Sequence, residues 1–189
     1  MTRCLLFLCF VVTFFSFQKR PQPVRFWQPA VSNIYPDSFA IYWTCAGVPS
    51  ATKLPIRVHF MNVYGDEIFI SRQVTDTIVD FRFDNFNERN LIISSSTPSR
   101  KRASNDTYGL RILTKRPAIE EVKMVLAFDP SLQHYLQLAE AYEKEGCYVN
   151  AIFIYHQMMK MDIVLGTQYW QEFKTRNLRK VSNPASPNN

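Results

Sequence analysis

Histidine is the side chain best suited to moving protons near neutral pH. The chain has three, His59, His134 and His156, each in a different stretch. None belongs to a His-Glu-x-x-His pair, so the one-face zinc chemistry of a metallohydrolase is not encoded. The Gly-x-Ser-x-Gly elbow of a serine hydrolase and the Gly-rich loops that cradle nucleotide phosphates are also missing. With 5 Gly in 189 residues there is little material for such loops. Asp66-Glu67, Asp80 and Asp84 lack the spacing of a calcium loop and read as charges on the solvent faces of strands. No Cys-x-x-Cys pair occurs among Cys4, Cys9, Cys45 and Cys147, so a zinc ribbon or thiol-redox centre is not expected. Cys45 and Cys147 read instead as small buried hydrophobes. These absences predict a non-enzymatic chain with no metal, no cofactor and no small-molecule substrate.

One basic cluster remains, Arg100-Lys101-Arg102 in the polar stretch 98–107. The stretch reads first as a solvated hairpin loop; the alternative is a weak contact of its three charges with phosphate, a lipid headgroup or an acidic glycan. The net charge is +6 and the pI about 9.2. Three clustered charges without interleaved aromatics are too few for a nucleic-acid footprint, so nucleic acid is not an expected partner.

The elements that must carry these residues begin after a leader. Arg3 precedes a charge-free apolar run, Cys4 to Phe17, which Lys19, Arg20 and Pro21 stop. As a helix the run reaches about 21 Å, short of the roughly 30 Å hydrocarbon core. Residues 1–18 therefore read as a signal peptide of an exported protein, periplasmic, outer-membrane-associated or secreted. The alternative is an uncleaved N-terminal membrane anchor. At 47% hydrophobic and 20% charged, the whole chain reads as neither disordered nor a multi-span membrane protein.

From Val31 to Thr114 the apolar period is two. Phe39, Ile41, Trp43 and Cys45 alternate with Ser38, Ala40, Tyr42 and Thr44. Val58 and Phe60 alternate with Arg57 and His59. Val79 and Phe81 alternate with Ile78 and Asp80. Strict alternation predicts one face in a core and the other in water. Breakers at Pro36-Asp37, Pro49-Ser50, Gly65-Asp66 and Pro98-Ser99 separate short strands, the pattern of an antiparallel sandwich. The stretch Pro29 to Trp43, with Ser38 opening a strand that reaches Trp43, resembles the start of a fibronectin type III domain. The resemblance implies strands over 54–64, 67–74, 77–83, 90–95 and 108–114. The family's Leu-x-Pro-x-Thr-x-Tyr corner is replaced by Asp84 to Leu91, which leaves a general immunoglobulin-like sandwich open.

After Thr114 the period becomes helical. Pro117, then Ile119, Val122 and Val125-Leu126, mark one helix. Asp129 reads as the N-cap of the next, with Pro130 at its first position. Gly146 reads as its stop. Tyr135, Leu138, Ala139, Tyr142, Gly146, Tyr148, Ala151 and Tyr155 resemble a tetratricopeptide repeat, and Tyr169 stands 34 residues after Tyr135, one repeat on. The resemblance implies that most of these positions pack helix on helix. It places a partner-binding concave face on Gln133, Leu136, Gln137, Glu140, Glu143 and Lys144, continued by Trp170.

The sequence thus predicts an α+β chain of two modules: a β-sandwich over 26–115 and a tetratricopeptide-like helical hairpin module over 117–180, with a disordered tail over 181–189. The expected role is a non-catalytic protein–protein interaction or scaffold subunit of a cell-envelope or surface complex. The alternatives are a carbohydrate-binding or adhesion module and a membrane-anchored scaffold.

Overall fold

Alternating strands followed by helical periods give the α+β chain that the pattern implies. The structure, a computed structural model, describes residues 24–26, 33–45, 55–71, 73, 76–82, 90–96 and 108–177. The strands are β1 (Val24–Phe26), β2 (Asn33–Ile34), β3 (Phe39–Cys45), β4 (Arg57–Met61), β5 (Glu67–Ile70), β6 (Ile78–Phe81), β7 (Asn90–Ser96) and β8 (Tyr108–Ile112). Four helices follow, α1 (Pro117–Phe128), α2 (Leu132–Lys144), α3 (Tyr148–Met161) and α4 (Ile163–Asn177). The leader, the basic loop Arg100–Arg102 and the tail all lie outside the described residues.

Two sheets form. One has the order β1-β3-β6, the other β2-β8-β7-β4-β5. Every described pairing is antiparallel except β2 with β8, which is parallel. The inward residues make one core: Phe39, Ile41, Trp43 and Phe81 from the first sheet meet Val58, Phe60, Leu91, Ile93 and Leu110 from the second. Phe60 stands edge-on to Phe39 at 5.9 Å and to Phe81 at 5.0 Å, the geometry aromatic quadrupoles favour. The Trp43 indole N–H is satisfied by the Asp76 carbonyl at 2.9 Å.

The expectation that the second face of each strand meets water fails for β3 and β6. Ala40 is fully buried, and Tyr42 and Ile78 are partly covered, all within the cluster that also holds the helical core. Asp80, read from sequence as a solvent-facing charge, is partly covered and bonded by His156, Gln157 and Lys160 of α3. The reason is a third layer: α3 lies along β3, and Val149 of α3 reaches the sandwich core itself. Sheet β1-β3-β6 is therefore sandwiched between a sheet and a helical layer.

The helices run up and down in chain order, each packed on the next. The cap before α2 differs from the expectation. Asp129 closes α1, and Ser131 caps α2, its Oγ accepting from the His134 N–H. Gly146 ends α2 as expected, with φ +71°, a left-handed conformation that costs glycine nothing. The α3–α4 turn is a single residue, Asp162, whose carboxylate accepts from the Val164 and Leu165 N–H groups and so starts α4 at once. Gly166 then lets the two helices touch: a Cβ there would stand 2.5 Å from Met159 N.

Candidate interaction surfaces

The helical layer is fastened to the sandwich by buried polar contacts that the sequence reading did not anticipate. Asn150, fully buried near the start of α3, uses its whole amide. Its Oδ1 accepts from Tyr35 N at 2.8 Å, and its Nδ2 donates to the carbonyls of Tyr35 at 3.2 Å and Ser38 at 3.0 Å. Asn33 of β2 reads the α2–α3 turn, donating from its backbone N–H to Gly146 O and from Nδ2 to Glu145 O. The buried Tyr35 hydroxyl donates to Glu120 Oε1 at 2.7 Å and accepts from Arg116 N at 3.1 Å. Burial, reinforced by the Glu120 hydrogen bond, pushes that phenol up to about 12. Lys123 bridges Asp37 at 2.6 Å and Glu120 at 3.5 Å.

A second fastening joins α3 to β6. Asp80 accepts from His156 Nδ1 at 2.7 Å, Gln157 Nε2 at 3.1 Å and Lys160 Nζ at 2.9 Å. Burial raises this carboxyl's pKa, but the hydrogen bonds and charges of His156 and Lys160 outweigh it, and the net shift is downward. The third fastening is aromatic. Trp170 is only 5% exposed, edge-on to Tyr42 at 5.1 Å and stacked on Phe173 at 5.5 Å, with the Lys174 ammonium over both Tyr42 and Trp170.

These contacts sort the residues that the repeat resemblance placed on a concave face. Gln133, Gln137, Glu140 and Lys144 are exposed along one stripe of α2. Leu136 is half-buried. Glu143 is held by the Tyr155 hydroxyl at 2.6 Å, by Arg176 at 3.2 Å and by Asn177, tying α2 to α3 and α4. Trp170 faces the sandwich rather than solvent, so it belongs to the internal junction. Cys147 is buried and unbridged, and burial pushes its thiol up to about 12, matching the reading as a small hydrophobe. The Cys45 side chain lies outside what is described.

On the outward face of the second sheet, three residues from three strands line up. His59 Nδ1 stands 2.7 Å from Glu67 Oε2, and His59 Nε2 stands 2.6 Å from Ser96 Oγ. In the neutral tautomer His59 donates to the carboxylate and accepts from the hydroxyl. The connectivity is that of a nucleophile, base and orienting acid. It lies on the flat pleat of β4, β5 and β7, where the same bonds clip neighbouring strands together. Sequence spacing missed it because cross-strand register, His59 opposite Ser94 and Ile70, brings the three together.

Among the described residues, the helical layer also leaves large apolar side chains exposed. Helix α1 buries Ile119 and half-buries Val122 and Leu126, but its other side leaves Met124 at 61%, Val125 at 42% and Phe128 at 91% exposure. The first turn of α4 leaves Ile163 at 76% and Val164 at 73%. No protein-family model and no curated protein matches the sequence. Among the described residues, no helix is long and apolar enough to cross a membrane.

Proposed function

We propose that the protein is an exported, non-catalytic interaction subunit that helps assemble or tether a complex at the cell envelope or surface. In this reading the sandwich is fibronectin type III-like or more generally immunoglobulin-like, and the helical layer is tetratricopeptide-like. The strand order supports the first, since β1-β3-β6 faces β2-β8-β7-β4-β5 across one core. The sequential up-and-down helices, joined closely at Gly166, support the second. The observation that carries the interaction role is the apolar outer side of the helical layer. An apolar helix stripe left in water marks a place for another protein. Cross-linking in native extracts tests the proposal: recovered adducts are expected through α1, α2 or α4, and a chain that stays uncross-linked to anything defeats it. N-terminal sequencing of the mature protein tests the export part, which requires loss of the leader.

The cluster of Ser96, His59 and Glu67 supplies the opposing reading, a serine hydrolase. The interaction role predicts that Ser96 stays unlabelled by a fluorophosphonate probe. Labelling that vanishes in Ser96→Ala and His59→Ala would make the protein an enzyme.

A further inference from the structure

The outer helices of the layer are α1 and α4, and each ends the layer with a different pattern. On α1 the outward stripe is Glu121, Met124, Val125 and Phe128, apolar toward the helix C-terminus and acidic toward the N-terminus. On α4 the outward residues begin with the apolar Ile163, Val164 and Leu165 and continue with Gln168, Gln171 and Thr175, so this helix is apolar toward its N-terminus. Neighbouring helices in the layer are antiparallel. Laying a second α1 against α4 in that same antiparallel sense brings apolar half to apolar half and polar half to polar half. The α4 C-terminal half then presents Gln168, Gln171 and Thr175 toward the polar start of α1, while Lys174 and Arg176 are turned inward, over Trp170 and onto Glu143. The two helix dipoles oppose, which is also favourable. Placing α1 on α1, or α4 on α4, in the antiparallel sense instead sets each apolar half against a polar one.

We infer that the partner fitting these surfaces is a second copy of this chain, docked head to tail, α4 of one against α1 of the next. The inference rests on reading the helical layer as an interaction module and names its partner. The contact continues the alternation of helices through the layer, α1-α2-α3-α4 and then α1 again. It is heterologous, so each copy keeps one unused α1 and one unused α4, and further copies add until the chain of copies closes or runs out. Two helices touching over three turns bury less than the roughly 1,600 Å² of a standard interface. The association is therefore weak and depends on concentration.

The test uses the full-length mature protein, with mass measured by light scattering across a concentration series. Wild type is expected to grow beyond a dimer as concentration rises. Phe128→Glu and Val164→Glu alter the most exposed apolar residue of α1 and a strongly exposed one of α4, so both should keep the wild-type circular dichroism and Tm. Each alone is expected to be monomeric. Their equimolar mixture is expected to form a 1:1 dimer and stop there, because one intact α1 and one intact α4 remain. Gln137→Glu, on the stripe of α2, should leave the wild-type growth unchanged. A monomeric wild type overturns the inference, as does a mixture that stays monomeric, or a Phe128→Glu variant that still self-associates. If wild type is monomeric yet cross-links in native extracts to a different protein, self-assembly fails while the interaction role survives.

Discussion

Asn150 is the residue on which the junction turns. An amide carries both an acceptor and two donors, and here all three are used against backbone groups of the β2–β3 connection. Asn150→Ala strands those groups and is expected to cost about 2–4 kcal/mol. Asn150→Asp should cost more at neutral pH, because it replaces the NH2 facing two carbonyl oxygens with an anionic oxygen. Urea denaturation of the two variants checks both the loss and its order. The sequence offered a trace of this: Asn150 is the one amide in the apolar run Tyr148 to Tyr155. What was not legible is its partner, 115 residues away. The His59, Glu67 and Ser96 alignment was invisible for the same reason, since register and not spacing sets it. Cys147 was legible, because burial of a small thiol leaves nothing else to explain.

Elements meet through two features of opposite kind, a missing side chain and a shared charge. Gly166 lets α4 approach the backbone of α3, and the methyl of Gly166→Ala would have to displace main-chain atoms of Met158 and Met159. A loss of about 2 kcal/mol or more is expected from this overpacking, read as a lower thermal midpoint. Asp80 joins β6 to α3, and its carboxyl has a lowered pKa in the folded state. A lowered value stabilises the fold above the unfolded pKa, and that stability is lost as pH falls through the folded one. Wild type should therefore exceed Asp80→Asn by about 1–2 kcal/mol near neutrality. The gap should narrow once pH drops below about 4, the ordinary carboxylate value. Melting curves at several pH values decide this, and a gap that widens in acid rejects it. At this scale the strands and helices were largely legible, since periods of two and 3.6 survive in the sequence. The α2 cap was not, because Asp129 and Ser131 offer the same chemistry two residues apart.

For the molecule as a whole, the decisive fact is that the helices do not hang beside the sandwich but roof one of its sheets. Far-UV circular dichroism and tryptophan fluorescence are expected to give coincident unfolding curves, and Trp170→Ala should lower both together by about 3–5 kcal/mol. Two separated transitions would show that the layers are energetically independent. The α+β class was legible from the change of period at Thr114. The roofing was not, although β3 carries a hint in Phe-Ala-Ile-Tyr-Trp-Thr-Cys, a strand apolar on nearly every position because both its faces are covered. One further consequence concerns force. Strand β2, near the start of the described chain, lies parallel to β8, which leads directly into the helices. Tension between the two ends of the chain loads this pair lengthwise, so its bonds, including Leu113 N to Ile34 O, must yield together instead of peeling in turn. Asn33 in β2 and Tyr35 just after it are also bonded to Gly146 and Asn150, so part of the same load passes into the helical layer. A chain built this way resists pulling at the very seam where its two layers are joined.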